Sequence, residues 1–261
     1  MWAIHPLLSA TAVLLVVLPA FRLGWLSPSG ALSAFVVGWV TLIAGGVGSA
    51  MALLTFFISS SLLSRWRAER KRRMETLTAR GSTRTAAQVL ANGGVATLCI
   101  ALYLLTGDTR WWLAFVGAYA AANADTWSSE IGALSRVPPR HLLTLRPLKA
   151  GDSGGVTLLG LLAGGAGSLL VAVVAGWLAS ASPIQVAAVA IGGFGGALVD
   201  SLLGATIQAK YRCVGCGEVV ESARHCGSPA EPAGGWRCMN NDAVNLFCTL
   251  TGAMMAYVIG R

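Results

Sequence analysis

Charge is what this sequence has least of. Asp, Glu, Lys and Arg together make up 11% of its 261 residues, less than half of the roughly 25% in an average soluble domain. With 55% apolar residues and a mean hydropathy of +0.66, the chain lacks the polar side chains that clothe a water-soluble globule. Two further absences narrow the class. No basic stretch precedes the apolar run from Leu7 to Phe21, and Pro19 with the bulky residues from Phe21 to Trp25 makes a poor cleavage site. That excludes a cleaved signal peptide and leaves a first transmembrane helix as the expectation. The most basic segment, 65–84, lacks the aromatic platforms on which single-stranded nucleic acid stacks, so no nucleic-acid partner is expected.

What is present is a series of apolar stretches separated by short charged segments. Crossing the hydrocarbon takes roughly 20 mostly apolar residues as a helix. The stretches predict helices near 5–22, 30–45, 48–64, 86–106, 111–134, 153–179, 183–208 and 241–259. The expected fold is all-α: a polytopic transmembrane bundle forming one integral membrane domain over 1–261. Its helix count is eight, or seven if the Gly45–Ser49 segment only kinks a longer helix. Trp25, Trp66, Trp111 and Trp112 fall near predicted span ends, as in an interfacial aromatic belt.

Basic residues set the orientation. Segment 65–84 holds eight Arg/Lys, 136–149 four and 209–239 four, whereas the alternate loops hold only Arg110. With eight spans these three segments share one face, which the positive-inside rule makes cytoplasmic. Both termini then lie outside the cytoplasm, and a prokaryotic inner membrane is the expected location. A secondary reading of the +8 charge is attraction for anionic lipid or a phosphorylated substrate.

The scarce acids are placed expensively. Asp125, Glu130, Asp152, Asp200 and Asp242 lie within or at the ends of spans, where a carboxylate costs a few kcal/mol or more unless paired, hydrated or bound to a cation. Asp125 lies eleven residues before Arg136 and Asp200 ten before Lys210, or about 15 Å along a helix. Asp152 and Asp242 begin their spans. These acids therefore converge toward the basic face, near Arg84 and Lys149. Carboxylates suit a hard divalent cation such as Mg²⁺, and Arg and Lys suit phosphate. Asn123, Thr126 and Glu130 share one helical face, with Asp125 and Ser129 on the next. The segment 149–157 sets Gly154 and Gly155 beside Asp152 and Ser153 at an expected helix start, where backbone N–H groups favour an anion. Asp200 stands alone among the small residues of 195–204, and Asn240, Asn241, Asp242 and Asn245 exceed what an N-cap needs.

The segment 209–239 carries Cys213, Cys216, His225, Cys226 and Cys238. A Cys-x-x-Cys pair with later thiol and imidazole donors has zinc-ligand spacing, and a cytoplasmic loop disfavours disulfides. The expected set is Cys213, Cys216, Cys226 and either His225 or Cys238, holding a structural zinc that fastens this small loop over the site. Cys99 and Cys248 fall in spans as core residues.

At five places in order the sequence resembles a family of polytopic membrane proteins that includes the plant phytyl-phosphate kinase: 88–94 with Gln88 and Asn92, 124–132 with Asp125 and Glu130, 154–157, 198–204 with Asp200, and 241–245 with Asp242. The likeness runs over nearly the whole chain. Asp152 departs from the Thr of the family's Gly-Thr-x-Gly-Gly pattern and is given no metal role. More distantly, an acid-bearing helix followed by a Lys- and Gly-rich turn is similar to the arrangement in phytol and dolichol kinases. The resemblance implies phosphoryl transfer from a nucleoside triphosphate, CTP by preference, to an isoprenyl monophosphate in the bilayer. In that reading Asp125 and Asp200 hold Mg²⁺, with Asn123, Glu130 or Asp242 completing the shell. Arg84, Lys149, Asn92 and the Gly154–Gly155 backbone bind nucleotide. A cytidylyltransferase uses the same metal and substrates and differs in its products; a lipid or ion transporter would expose its acids to both faces in turn. The sequence does not state an oligomeric state.

Overall fold

The computed structural model describes residues 5–66 and 83–261, so most of the basic segment 65–84 lies outside the described residues. Seven helices are described: α1 (Pro6–Arg22), α2 (Pro28–Arg65), α3 (Ala86–Thr106), α4 (Thr109–Gly132), α5 (Leu158–Ala179), α6 (Pro183–Thr206) and α7 (Asn241–Ile259). Their starts follow local chemistry. Ser27, Thr85, Asp108, Thr157, Ser182 and Asn240 each place a side-chain oxygen on an N–H of the first turn, satisfying donors that would otherwise be orphaned.

The two spans expected over 30–64 are one helical element broken at Gly46, whose φ of 67° and ψ of −165° are non-helical. Glycine is essentially the one residue that takes this backbone conformation without strain. At Gly46 the chain reverses. The Arg65 guanidinium donates to the Gly24 carbonyl (3.2 Å) and lies over the Trp25 ring, beside the start of α2. Arg84 links both ends, its carbonyl accepting from Ser27 N–H (3.0 Å) and its guanidinium donating to Ser60 Oγ (2.6 Å). Among the described residues, counting the two arms of α2 separately, there are thus eight helical segments.

Four helices besides α2 are each long and apolar enough to cross a membrane: α3, α5, α6 and α7. At 17 residues α1 is shorter. α4 is less apolar because it does not face lipid: its residues Leu113 to Asp125 are all buried, and it packs on α2, α3, α5, α6 and α7. Small residues bring these helices close, as membrane bundles require. A Cβ on Gly117 would meet the Gly252 carbonyl of α7 at 2.5 Å, and one on Gly160 the Ser128 carbonyl of α4 at 2.7 Å. Tyr119, Phe115, Ile100 and Val171 fill the core between them.

The helix expected from residue 153 begins at Leu158. Gly155 and Val156 form a strand, β2 (Gly155–Val156), paired antiparallel with β1 (Arg140–His141). Between α6 and α7 a four-stranded antiparallel sheet, in the order β4-β3-β6-β5, is built from β3 (Lys210–Cys213), β4 (Val219–Val220), β5 (Arg224–His225) and β6 (Ser228–Gly234). Both small sheets and the Arg84 segment sit at the same end of the bundle. Among the described residues the opposite end has short connections, such as the Gly46 reversal and the Gly107–Asp108 turn.

Candidate functional site

A cavity of about 620 Å³ opens at the end of the bundle that carries the small sheets. Asp125, Ser128, Ser129 and Glu130 reach its wall from the last turns of α4, Asp200 and Ser201 from α6, Asn241 and Asn245 from the first turn of α7, and Gln88 and Asn92 from α3. The loop 152–157 closes one side, with Asp152, Ser153, Gly154 and Gly155 in the lining. Asp125 and Asp200 are each only 7% exposed, so these carboxylates sit low in the cavity, where charge is least screened. An all-oxygen set of carboxylates, carboxamides and hydroxyls can ligate a hard cation.

Arg84 is held by its backbone. Its N–H donates to the Trp25 carbonyl and its carbonyl accepts from Ser27, each at 3.0 Å. Gly30 permits this, because a Cβ there would collide with the Arg84 carbonyl. The guanidinium lies 5.1 Å from the Phe56 ring centroid and 5.5 Å from that of Phe57, a cation–π setting. Burial, with Arg65 nearby, lowers it to about 10 while Glu130 opposes the shift. The group stays protonated at neutral pH.

The Gly-rich loop packs against the end of α6. A Cβ on Gly154 (φ 79°) would overlap the Ala205 backbone, and one on Gly204 would come 2.9 Å from the Gly154 nitrogen. Because the helix starts later than expected, Gly154 and Gly155 do not stand at its N-terminus: Thr157 is the N-cap, and the Gly155 N–H already donates to the Asp152 carbonyl (3.3 Å). Asp152 Oδ2 accepts from the Lys149 N–H (3.0 Å), which shapes the turn.

The structure does not bring every expected residue into this wall. Asn123 is fully buried behind it, accepting from Ser59 Oγ (2.9 Å) and donating to the Gly167 carbonyl (2.8 Å), a link between helices. Lys149 is exposed and Asp242 half-buried, and neither lines the cavity. Sequence reasoning missed Gln208, Ser201 and Glu221. Glu221 comes from the sheet between α6 and α7 and accepts from Ser153 Oγ at 2.7 Å. No local pattern marks it, because its neighbour at 153 is 68 residues away.

In the same sheet Cys213, Cys216, His225 and Cys226 place their ligand atoms within 4.8 Å of one another. Cys213 Sγ is 3.4 Å from Cys226 Sγ, and Cys216 Sγ is 3.3 Å from His225 Nδ1. Cys226 takes a positive φ of 44° to fit. The Cys216 backbone N–H, ahead of His225 and Cys226, holds the Cys213 thiol down at about 6, and the neighbouring Cys213 sulfur pushes Cys226 up to about 11. Three thiols and an imidazole at this spacing can bind a metal ion. The fourth donor is His225; Cys238 is exposed and outside the cluster.

A bundle of apolar helices around a polar, acid-bearing cavity at one end defines an integral membrane protein with a chemical site. The chain belongs to the family described as integral membrane protein DUF92, whose model matches residues 11–253. It is 32% identical to Protein PGR of Arabidopsis thaliana, over 94% of this chain and 92% of that protein. An uncharacterized membrane protein of Methanocaldococcus jannaschii is 29% identical over 90% of this chain and 85% of its own length. Protein VTE6, chloroplastic, of Arabidopsis thaliana is 23% identical over 90% of this chain and 65% of its own. No solved structure matches.

Proposed function

We propose that this protein transfers a phosphoryl group from a nucleoside triphosphate to an isoprenyl monophosphate, giving the lipid diphosphate and the nucleoside diphosphate. The observation that carries the reading is the gathering of Asp125, Asp200 and Glu130 with Arg84 around one cavity at the end of a membrane bundle. The sequence likeness to VTE6 supports the same substrate class, since the family it resembles includes the plant phytyl-phosphate kinase. By the positive-inside rule the basic end of the bundle, where the cavity opens, would face the cytoplasm, where nucleotide is available; a prokaryotic plasma membrane is the proposed location.

Phosphoryl transfer asks chiefly for positioning and charge neutralisation. A phosphate oxygen of the acceptor forms the new P–O bond to the γ-phosphorus as the bond to the β-phosphate oxygen breaks and the nucleoside diphosphate leaves. The acceptor is already anionic at neutral pH, so no strong general base is needed. Asp125 and Asp200 would hold Mg²⁺, which on binding neutralises charge on the nucleotide phosphates. Asn241, Asn245 and Ser129, which line the same cavity, could support that ion with further oxygen donors. Arg84 meets phosphate with a fork of donors in a partly buried setting, and Asn92 and Gln88 flank it. Asn123 acts through packing, keeping α4 in register with α2 and α5. CTP is the proposed donor.

We propose further that zinc occupies the Cys213, Cys216, His225, Cys226 cluster and fixes the sheet that presents Glu221 to Ser153. Asp125→Asn and Asp200→Asn should each lower kcat on the order of 10³-fold while the protein still inserts and elutes as a single species. The check is Mg²⁺-dependent nucleotide consumption with an isoprenyl monophosphate. Near-wild-type turnover in both variants would remove the metal assignment.

A further inference from the structure

A second cavity, of about 240 Å³, lies between α1, the α2 hairpin and α3. Its walls are apolar: Val13 and Val17 of α1, Val37 and Leu42 of the first arm of α2, Leu53 and Phe57 of the second. Among the described residues Arg84 is the one charged residue in its lining, and Phe56, Arg84, Gln88 and Asn92 line both this cavity and the polar one. The two spaces thus share a wall, with a guanidinium at the junction. From Phe57, which Arg84 touches, the apolar lining follows α2 to Val47 beside the reversal at Gly46. Ten helical residues rise about 15 Å, roughly half the thickness of the hydrocarbon core. At the far end Val47 and Met51 are exposed, so this end is open at the protein's apolar surface.

We propose that this cavity is the slot for the hydrocarbon tail of a single-chain phosphate monoester, whose head sits at Arg84 on the wall of the polar cavity. The identity of the head group rests on the phosphotransfer reading; the tail slot stands on its own geometry. A positive charge at the mouth of an apolar slot complements an anionic head and repels a cationic one. A slot of this volume, below the roughly 300–1,000 Å³ of a drug-sized ligand pocket, takes one chain and refuses the two of an ordinary phospholipid. Chains longer than the slot leave it past Val47 and Met51 into the bilayer. The enzyme would therefore read the head group and the first half-membrane of tail, and tolerate length beyond that.

The test uses dodecyl phosphate carrying a diazirine near its terminal carbon, irradiated with the whole protein in detergent and mapped by peptide mass spectrometry. Labels should fall within 12–17, 34–42 and 47–54. Unlabelled dodecyl phosphate should compete, and neither dodecyltrimethylammonium nor a two-chain phosphatidic acid should compete comparably. Arg84→Gln should cut labelling at least tenfold. Leu54 also lines the slot, and Leu54→Trp should raise the KM of a long-chain phosphate at least tenfold more than that of a short-chain one.

Labels spread over lipid-facing positions such as Leu162, Leu169 and Ile191, and indifferent to Arg84→Gln, would overturn the slot. Equal competition by the cationic or the two-chain lipid would overturn it as well. Labelling in the slot without nucleotide consumption keeps the slot and removes phosphotransfer, whereas turnover with labels elsewhere does the reverse. Crosslink mapping on the wild-type chain decides the matter even if a variant fails to fold.

Discussion

A single hydrogen atom in place of a methyl group sets where Arg84 stands. Gly30 has no Cβ, so the Arg84 carbonyl can approach the start of α2 and accept from Ser27. Gly30→Ala should push this backbone away and move the guanidinium by a sizeable fraction of an ångström or more. Displacements of about 1 Å in a positioned group cost on the order of 10²-fold in rate, so a loss of that order in kcat/KM is expected. Gly165→Ala is the control, since its Cβ would meet nothing within 4 Å and it should turn over normally. Equal activity in the two variants would show that Arg84 does not need its present seat. That Asp125 and Asp200 would meet near Arg84 was legible from the cost of a carboxylate in an apolar span and from their distance to the basic segments. Glu221 and Gln208 were not, because what brings them to the cavity is the docking of the small sheets and not any local pattern.

At the scale of elements, the hairpin in α2 and the cysteine-bearing sheet each hang on a local device. Gly46 occupies a backbone region that costs other residues about 1–3 kcal/mol. Gly46→Ala should destabilise the protein by that amount, seen as a lower midpoint in thermal unfolding in detergent, and an unchanged midpoint would mean the turn is not strained for alanine. The Gly45–Ser49 segment signalled a break without saying whether it reversed the chain; tertiary contacts at Arg65 and Arg84 decide that. Likewise the start of α5 was read five residues early, because the hydropathy of 153–157 does not distinguish a helix turn from the short strand that pairs with β1.

For the sheet between α6 and α7, purified protein should carry about one zinc per chain by elemental analysis. Cys213→Ser should lose it and become sensitive to protease within 209–239. If zinc fixes the sheet that carries Glu221, turnover should fall with the zinc content. Wild-type protein free of zinc and equally resistant would contradict this role.

Over the whole molecule, one polar helix is enclosed by apolar ones. α4 carries Asp125 and Glu130 and falls short of the apolarity of a lipid-facing span, yet it is the most buried of the described helices. That placement removes the contradiction between a membrane protein and its carboxylates, since the acids face a cavity and protein neighbours instead of lipid. The approximate positions of the described helices could be read from hydropathy. The central position of α4 could not, since it follows from the pairing of small residues such as Gly117, Gly160, Gly193 and Gly252 across helices far apart in sequence.

The claim that this arrangement moves a phosphoryl group is best tested by following the two ends of the nucleotide. Purified protein with Mg²⁺ and an isoprenyl monophosphate is given CTP labelled at the γ-phosphorus in one reaction and at the α-phosphorus in another, with ATP in parallel. The account predicts γ-label in a lipid diphosphate and α-label in free CDP. Label from the α-phosphorus in the lipid, with release of pyrophosphate, would make the enzyme a cytidylyltransferase, and intact nucleotide with every acceptor would contradict phosphoryl transfer altogether.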